Sequence, residues 1–421
     1  MRRSILFLAL LLLAAVPVWA QTPTPIPEVP ATVPETLTNS WFATGPDGVL
    51  VGGMWNIHSD QRRALYWDFA TETWTEIPTL EAPSFSRGIW SDVAGGFILL
   101  TTYSEHTDAR LIQPPVGEIS EGWPRSIARG HQGAALPGDF LPVEYFLGGF
   151  ETPSVPVVYC DRFNLITLTW ENLPDLPEGR IFGNALLDSD GILWFSGGRD
   201  SSGLTVGTTW FLEGVEWQSF SRDTFLPRER GRMWKTESGE ILISGGVMIY
   251  EDRLPTPLPQ VVLGTTESIS QGNLLEAVFN EPRQEFEVSV DLEAGIAYGG
   301  STGDGPCTTV EEIPLPLDKG RWVPSRGMSP LEIEKAARNG RSTWTVTHTW
   351  REPVFNAGTG TLPDGRQGMV GGTTAGGEDS SEFKKYPPDA PTDVPTTSPF
   401  GVVLILITFS SLLALAGFRR R

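Results

Sequence analysis

Residues 188–198 read "DSDGILWFSGG": an Asp-Gly turn, a short apolar run and two adjacent glycines. The turn is hairpin chemistry, and the run has the length of a half-buried strand. Ending such a strand on two glycines needs a reason, because glycine offers nothing to pack and loses more entropy on ordering than other residues. One occurrence would carry little weight, so the question becomes whether the chain repeats it.

It does. The pattern returns as "GPDGVLVGGMW" at 45–55, "PVEYFLGGFET" at 142–152, "ESGEILISGGV" at 237–247, "LEAGIAYGGST" at 292–302 and "PDGRQGMVGGT" at 363–373. A seventh copy, "AGGFILLTTYS" at 94–104, has Thr101-Thr102 in place of the pair. The first member of each pair stands at 52, 101, 148, 197, 245, 299 and 371, so the intervals are 49, 47, 49, 48, 54 and 72 residues. A period near 45–50 residues fits four short strands with their turns, the unit of a blade array. Other positions recur in phase. Strands such as "RALYWDF" at 63–69 and "SVPVVYC" at 154–160 follow the pair, and a tryptophan opens the next strand in "TWTEIP" at 73–78, "TWENLP" at 169–174 and "EWQSF" at 216–220. A Pro-containing link then leads to an arginine: Arg87, Arg129, Arg180, Arg230 or Arg283.

Glycine pair, tryptophan and phase together resemble the kelch repeat over residues 26–385. The resemblance implies an all-β fold, a kelch-type β-propeller of seven blades with six as the alternative. The last repeat has "SSEFKKY" at 380–386 and no tryptophan strand after it, while "TPIPEVPATVPETLTNSW" at 24–41 reads as the missing outer segment. Residues about 25–31 are therefore expected to supply the strand that closes the ring and removes its free edges. The longest interval contains "SPLEIEKAARNG" at 329–340, where Ser329 and Glu332 form a capping box, Pro330 takes the first helical position and Asn339-Gly340 ends the helix. A short surface helix on one blade is expected there.

The ends are separable from the array. Residues 1–20 read as a signal peptide: Arg2-Arg3, an apolar run from Ile5 to Val16, and Val18-Trp19-Ala20 as a cleavage site. Residues 386–399, "YPPDAPTDVPTTSP", read as a stiff extended stalk. Residues 400–418 carry no charge and precede Arg419-Arg420-Arg421, the order of a single-pass membrane helix or a processed sorting tail with a cytoplasmic basic end. The sequence thus predicts an exported, envelope-anchored propeller spanning 21–385.

The net charge of −20 argues against nucleic acid and anionic lipid as partners. The chain has no phosphate loop and no H-E-x-x-H, and His58, His106, His131 and His348 fall in different repeats. "DSDG" lacks the later ligands of a calcium loop. No cofactor or metal is expected. Cys160 and Cys307 belong to repeats three apart, so two free, mostly buried thiols are expected and no disulfide.

What the resemblance implies for function is broader, since kelch propellers do many jobs. The favoured reading is a monomeric extracytoplasmic binding module for a protein or glycan. Arg87, Arg129, Arg180, Arg230 and Arg283 are its candidate ligand residues, expected to return to one height around the axis and present guanidiniums to an acidic group. The competing reading has these arginines brace neighbouring blades. A second class is an exported enzyme resembling sialic acid epimerases and mutarotases, which the ending "GGTTAGGEDS" at 371–380 resembles; Glu229, Arg230 and Arg180 would be its acid–base candidates. Copper radical oxidases need a Tyr–Cys crosslink, and Tyr159 and Cys160 are adjacent, hence on opposite strand faces. A structural surface protein is the third class.

Overall fold

Strand Leu193–Ser196 shows how the sequence builds a blade. All four of its residues are buried. Alternation sends Leu193 and Phe195 to one side, against Val143, Tyr145, Leu147 and Cys160 of the preceding repeat. Trp194 points the other way, against Met233, Ile241 and Ile243 of the following one. A strand covered on both faces is mostly apolar, which is why these runs show no regular polar alternation. Burying a ring such as that of Phe195, which has no exposed surface, stabilises the fold by about 2–3 kcal/mol.

In this computed structural model the described residues lie between 29 and 386, leaving out loop segments that include 55–61, 78–86, 101–107, 125–133, 251–259, 316–327 and 350–353. The expected signal peptide, the stalk beyond residue 386, the apolar span 400–418 and the basic end lie outside them, as do Arg129 and Thr101-Thr102. Among the described residues no helix is long and apolar enough to cross a membrane. The chain divides into Met1–Lys384, which holds the fold described below, and Lys385–Arg421.

Seven antiparallel blades follow one another along the chain. Blade 2 starts with Arg87–Ser91, Gly96–Leu100 and Asp108–Gln113; blade 3 comprises Ala134–Pro137, Val143–Leu147, Cys160–Asn164 and Thr169–Leu173. Blade 4 is Asn184–Leu187, Leu193–Ser196, Thr209–Glu213 and Glu216–Ser219, and blade 5 is Arg232–Lys235, Ile241–Ser244, Thr265–Ser268 and Leu274–Val278. Blade 6 is Glu287–Val290, Ala294–Tyr298, Thr309–Pro314 and Thr345–Thr349. First strands of successive blades lie against one another, from blade 3 through blade 6, so these strands ring the axis. The all-β, seven-bladed propeller read from the repeat is the fold of the chain.

Closure uses a single long strand. Thr32–Thr44 pairs through Thr32 and Leu37 with Glu382 and Ser380 of Ser380–Tyr386, completing blade 7. Its second half, Thr38 to Thr44, pairs with Gly48–Met54 as the innermost strand of blade 1. The N-terminal closure is as expected: the Ala31 carbonyl accepts the Phe383 N–H at 2.7 Å and the pairing runs on through Thr32 and Leu37, while residues 25–28 of the expected closing segment lie outside the described residues. Elsewhere a Pro-containing link separates one blade from the next. Here there is none: the chain passes straight from one blade into the next with bulges in its pairing. Val29, Val33 and Leu37 seal the joint against Val370 and Phe383.

Two further expectations shift. Residues 154–160 are not one strand, because a small hairpin, Phe150–Thr152 with Val155–Pro156, intervenes before the third strand begins at Cys160. The helix forms at Pro330–Arg338, here α1, with its capping box intact: the Ser329 N–H and hydroxyl both donate to Glu332 Oε2 at 2.8 Å. It is no free surface element. Although inserted in blade 6, it packs on blade 5, burying Ile333 and Ala337 with Leu226, Leu263 and Val278. Glu334 Oε1 accepts the Gly264 N–H at 2.7 Å.

In blades 3 and 4 a tryptophan ties the outer strand to the preceding blade. Trp170 donates to the Trp123 carbonyl and Trp217 to the Pro174 carbonyl, both at 2.8 Å. Cys160 and Cys307 are buried thiols in blades 3 and 6, not joined to each other. Burial pushes the Cys307 thiol up to about 12.

Candidate functional site

The glycine pairs lead directly to the site. In blades 3, 4 and 5 the second glycine donates its N–H to an arginine carbonyl on the link entering the next blade. Gly149 bonds Arg180, Gly198 bonds Arg228 and Gly246 bonds Arg283, each at 2.8 Å. A Cβ on the first glycine would strike that same carbonyl oxygen: 2.6 Å at Gly148, 2.3 Å at Gly197 and 2.5 Å at Gly245. All six glycines have positive φ. The pair is therefore a docking point for the neighbouring blade's backbone, which no side chain would permit.

Each of these arginines then reaches into its own blade. Arg180 donates to Thr208 Oγ1 at 3.1 Å and to Glu178 at 2.7 Å, and its guanidinium lies over the Trp210 ring. Arg228 donates to the carbonyls of Gly245 and Thr265 and to Glu267 at 3.1 Å. Arg283 donates to Thr309 and, at 2.6 Å, to Glu311. Arg228, Arg283, Glu267 and Glu311 have no exposed surface, and Arg180 is 2% exposed. Carbonyl to the preceding blade and guanidinium to its own, each arginine fastens two blades together.

The four candidate arginines among the described residues do not share one position. Arg180 and Arg283 stand four residues before Asn184 and Glu287, which pair with Ser196 and Tyr298, the residues just ahead of the glycine pairs. The equivalent in blade 5 is Arg228, four before Arg232, which pairs with Ser244. Arg230 is two residues later in register, and Arg87 four later, since it pairs directly with Leu100. "LPRERGR" at 226–232 offers three arginines in alternation, and spacing alone does not say which one the glycine carbonyl contact selects.

Arg230 belongs to a different ring. It shares its register with Phe182 and Glu285, and all three have left-handed backbone, with φ of 56°, 55° and 53°. The Arg230 N–H donates to the Phe182 carbonyl and the Glu285 N–H to the Arg230 carbonyl, each at 3.0 Å. Three non-glycine residues held at positive φ in successive blades store roughly 1–3 kcal/mol each, strain of the kind found at binding sites.

Their side chains form one network across blades 4, 5 and 6. Arg199 follows the glycine pair of blade 4 and grips Glu229 with two bonds, Nε at 2.8 Å and Nη2 at 2.5 Å. Arg230 Nε stands 3.6 Å from Glu229, while its Nη1 donates to Glu285 at 2.8 Å. The Arg230 guanidinium lies 3.9 Å from the centre of the Phe182 ring, with Arg199 at 5.3 Å. Glu229 is buried, its side chain 2% exposed, whereas Arg199, Arg230 and Glu285 are 28%, 29% and 42% exposed. Charges alternate and sum to zero. A planar, doubly charged donor surface beside an aromatic ring suits a carboxylate carried on a compact polar body. Among the described residues no cluster of His, Cys, Asp and Glu could hold a metal.

Fold and site define a seven-bladed β-propeller with a charged cluster where three of its inter-blade links meet the axis. No family model and no curated protein matches the chain. Among 286 matching chains of solved structures is that of YjhT, similar at 12% identity over 67% of this chain and 96% of that one, with a TM-score of 0.45. Likeness at that level carries no functional information.

Proposed function

We propose that this protein is an exported, envelope-anchored propeller of the kelch type that binds a carboxylate-bearing ligand, an acidic glycan or an acidic protein loop, at the Arg199–Arg230 end of its axis. One observation carries the reading. Arg180, Arg228 and Arg283 are consumed by bracing, whereas Arg230 and Arg199 keep over a quarter of their side-chain surface open to solvent. Glu229 has both oxygens engaged by Arg199, so it orients the guanidiniums. The leader and the apolar tail of the sequence support export and anchoring.

The test is binding of the chain to an array containing uronates, sialates and neutral sugars, with and without Arg230→Gly. Glycine suits the φ of 55° at this position, so the substitution removes the guanidinium while relieving backbone strain. Saturable, salt-sensitive binding to acidic members, lost in Arg230→Gly at unchanged melting temperature, is expected. Binding indifferent to the substitution, or none to any carboxylate ligand, refutes the proposal. Turnover of a sugar anomer, followed by NMR, would instead make the chain an enzyme.

A further inference from the structure

Resting on that reading, we infer that Glu285 is a built-in competitor for the ligand: it occupies the donor edge of Arg230 and sets the threshold an incoming carboxylate must pass. Arg230 has two carboxylate neighbours, and they differ in kind. Glu229 is buried and bound twice by Arg199; releasing it would strand a charge away from water, which costs far more than the contact returns. Glu285 makes the single 2.8 Å contact to Arg230 Nη1 with 42% of its side chain exposed. It can swing into water at little cost, because an exposed ion pair contributes only about 0–1 kcal/mol.

The geometry makes the exchange local. Glu285 is delivered by the link into blade 6, and its backbone N–H is bonded to the Arg230 carbonyl, so its side chain starts beside the guanidinium without any movement of the sheets. With Glu285 in place the four charges cancel. With it displaced by an external carboxylate they cancel again, and the freed Glu285 charge is taken up by solvent. A neutral ligand makes no such exchange and gains nothing from it.

The experiment compares the full chain with Glu285→Gln and Glu178→Gln by titrating free glucuronate, a glutamate-rich peptide and glucose. Glu178 is the control: it is an exposed carboxylate, 67% open, paired at 2.7 Å with Arg180, a bracing arginine outside the cluster. Glu285→Gln is expected to bind the carboxylate probe about fivefold more tightly, the scale of one exposed ion pair. Glu178→Gln should leave affinity unchanged, and neither should alter the response to glucose. The sugar and peptide arms decide which source of carboxylate the site takes. Wild-type binding with no gain in Glu285→Gln, or an equal gain in Glu178→Gln, overturns this inference and leaves the binding reading standing. No carboxylate binding by any of the three chains ends both.

Discussion

A Cβ at Gly197, where φ is 71°, would stand 2.3 Å from the Arg228 carbonyl oxygen. Gly191, in the turn of the same blade, has a similar φ of 78° but open space around it. The pair separates two costs that a glycine substitution usually mixes. Gly191→Ala should lose about 1 kcal/mol, the penalty for left-handed backbone alone. Gly197→Ala should lose roughly 3 kcal/mol or more, since it also pushes one blade off the next. Urea unfolding of both variants measures the difference, and equal losses would remove the inter-blade role assigned to the glycine. At this scale much was legible. The glycine pairs announced themselves, but their partner did not, because a carbonyl contributed by a residue some thirty positions on leaves no mark in composition.

The helix Pro330–Arg338 was readable from Ser329, Pro330 and Glu332, since capping is chemistry between near neighbours. Its resting place was not, because an apolar face states that a helix packs without stating on what. Ile333, 5% exposed, lies against blade 5, so Ile333→Ala should destabilise the docked helix by about 3 kcal/mol. Faster hydrogen exchange at the Gly264 N–H, which is held by Glu334, is the expected signature. The cap adds a pH dependence. Bonds from the Ser329 N–H and hydroxyl lower the Glu332 carboxyl below its ordinary value, so its contribution is present above that value and lost as pH falls through the lowered one. Ser329→Ala should flatten the acid limb of that exchange profile; an unchanged limb would refute the assignment.

For the molecule as a whole, stability turns on one strand serving two blades. A chain starting at residue 38 lacks the pairing of Thr32 and Leu37 with Ser380–Tyr386 and uncovers Val370 and Phe383. Burial of Val33 and Leu37 is worth about 1.5–3 kcal/mol each, so the shortened chain should melt roughly 5 °C below one starting at residue 21. Equal melting temperatures would show that the ring closes without this strand.

Seven repeats, their phase and the glycine–tryptophan grammar were sufficient to specify the propeller, because each blade is local: four strands joined by hairpins within about fifty residues. The capped helix was legible for the same reason, and the N-terminal closure because the last repeat lacks an outer strand that residues 24–41 carry in phase. Only the tertiary structure decided which arginine braces and which stays open. Arg228 and Arg230 are two residues apart in one link, yet one lies in full burial against Glu267 and the other faces solvent beside Glu285. Register against the neighbouring blade makes that division, and register depends on contacts between residues that are near only after the ring has closed. Arg199, Glu229 and Glu285 come from three blades for the same reason. Each is an ordinary charged residue in the sequence, and folding around the axis turns them into a site.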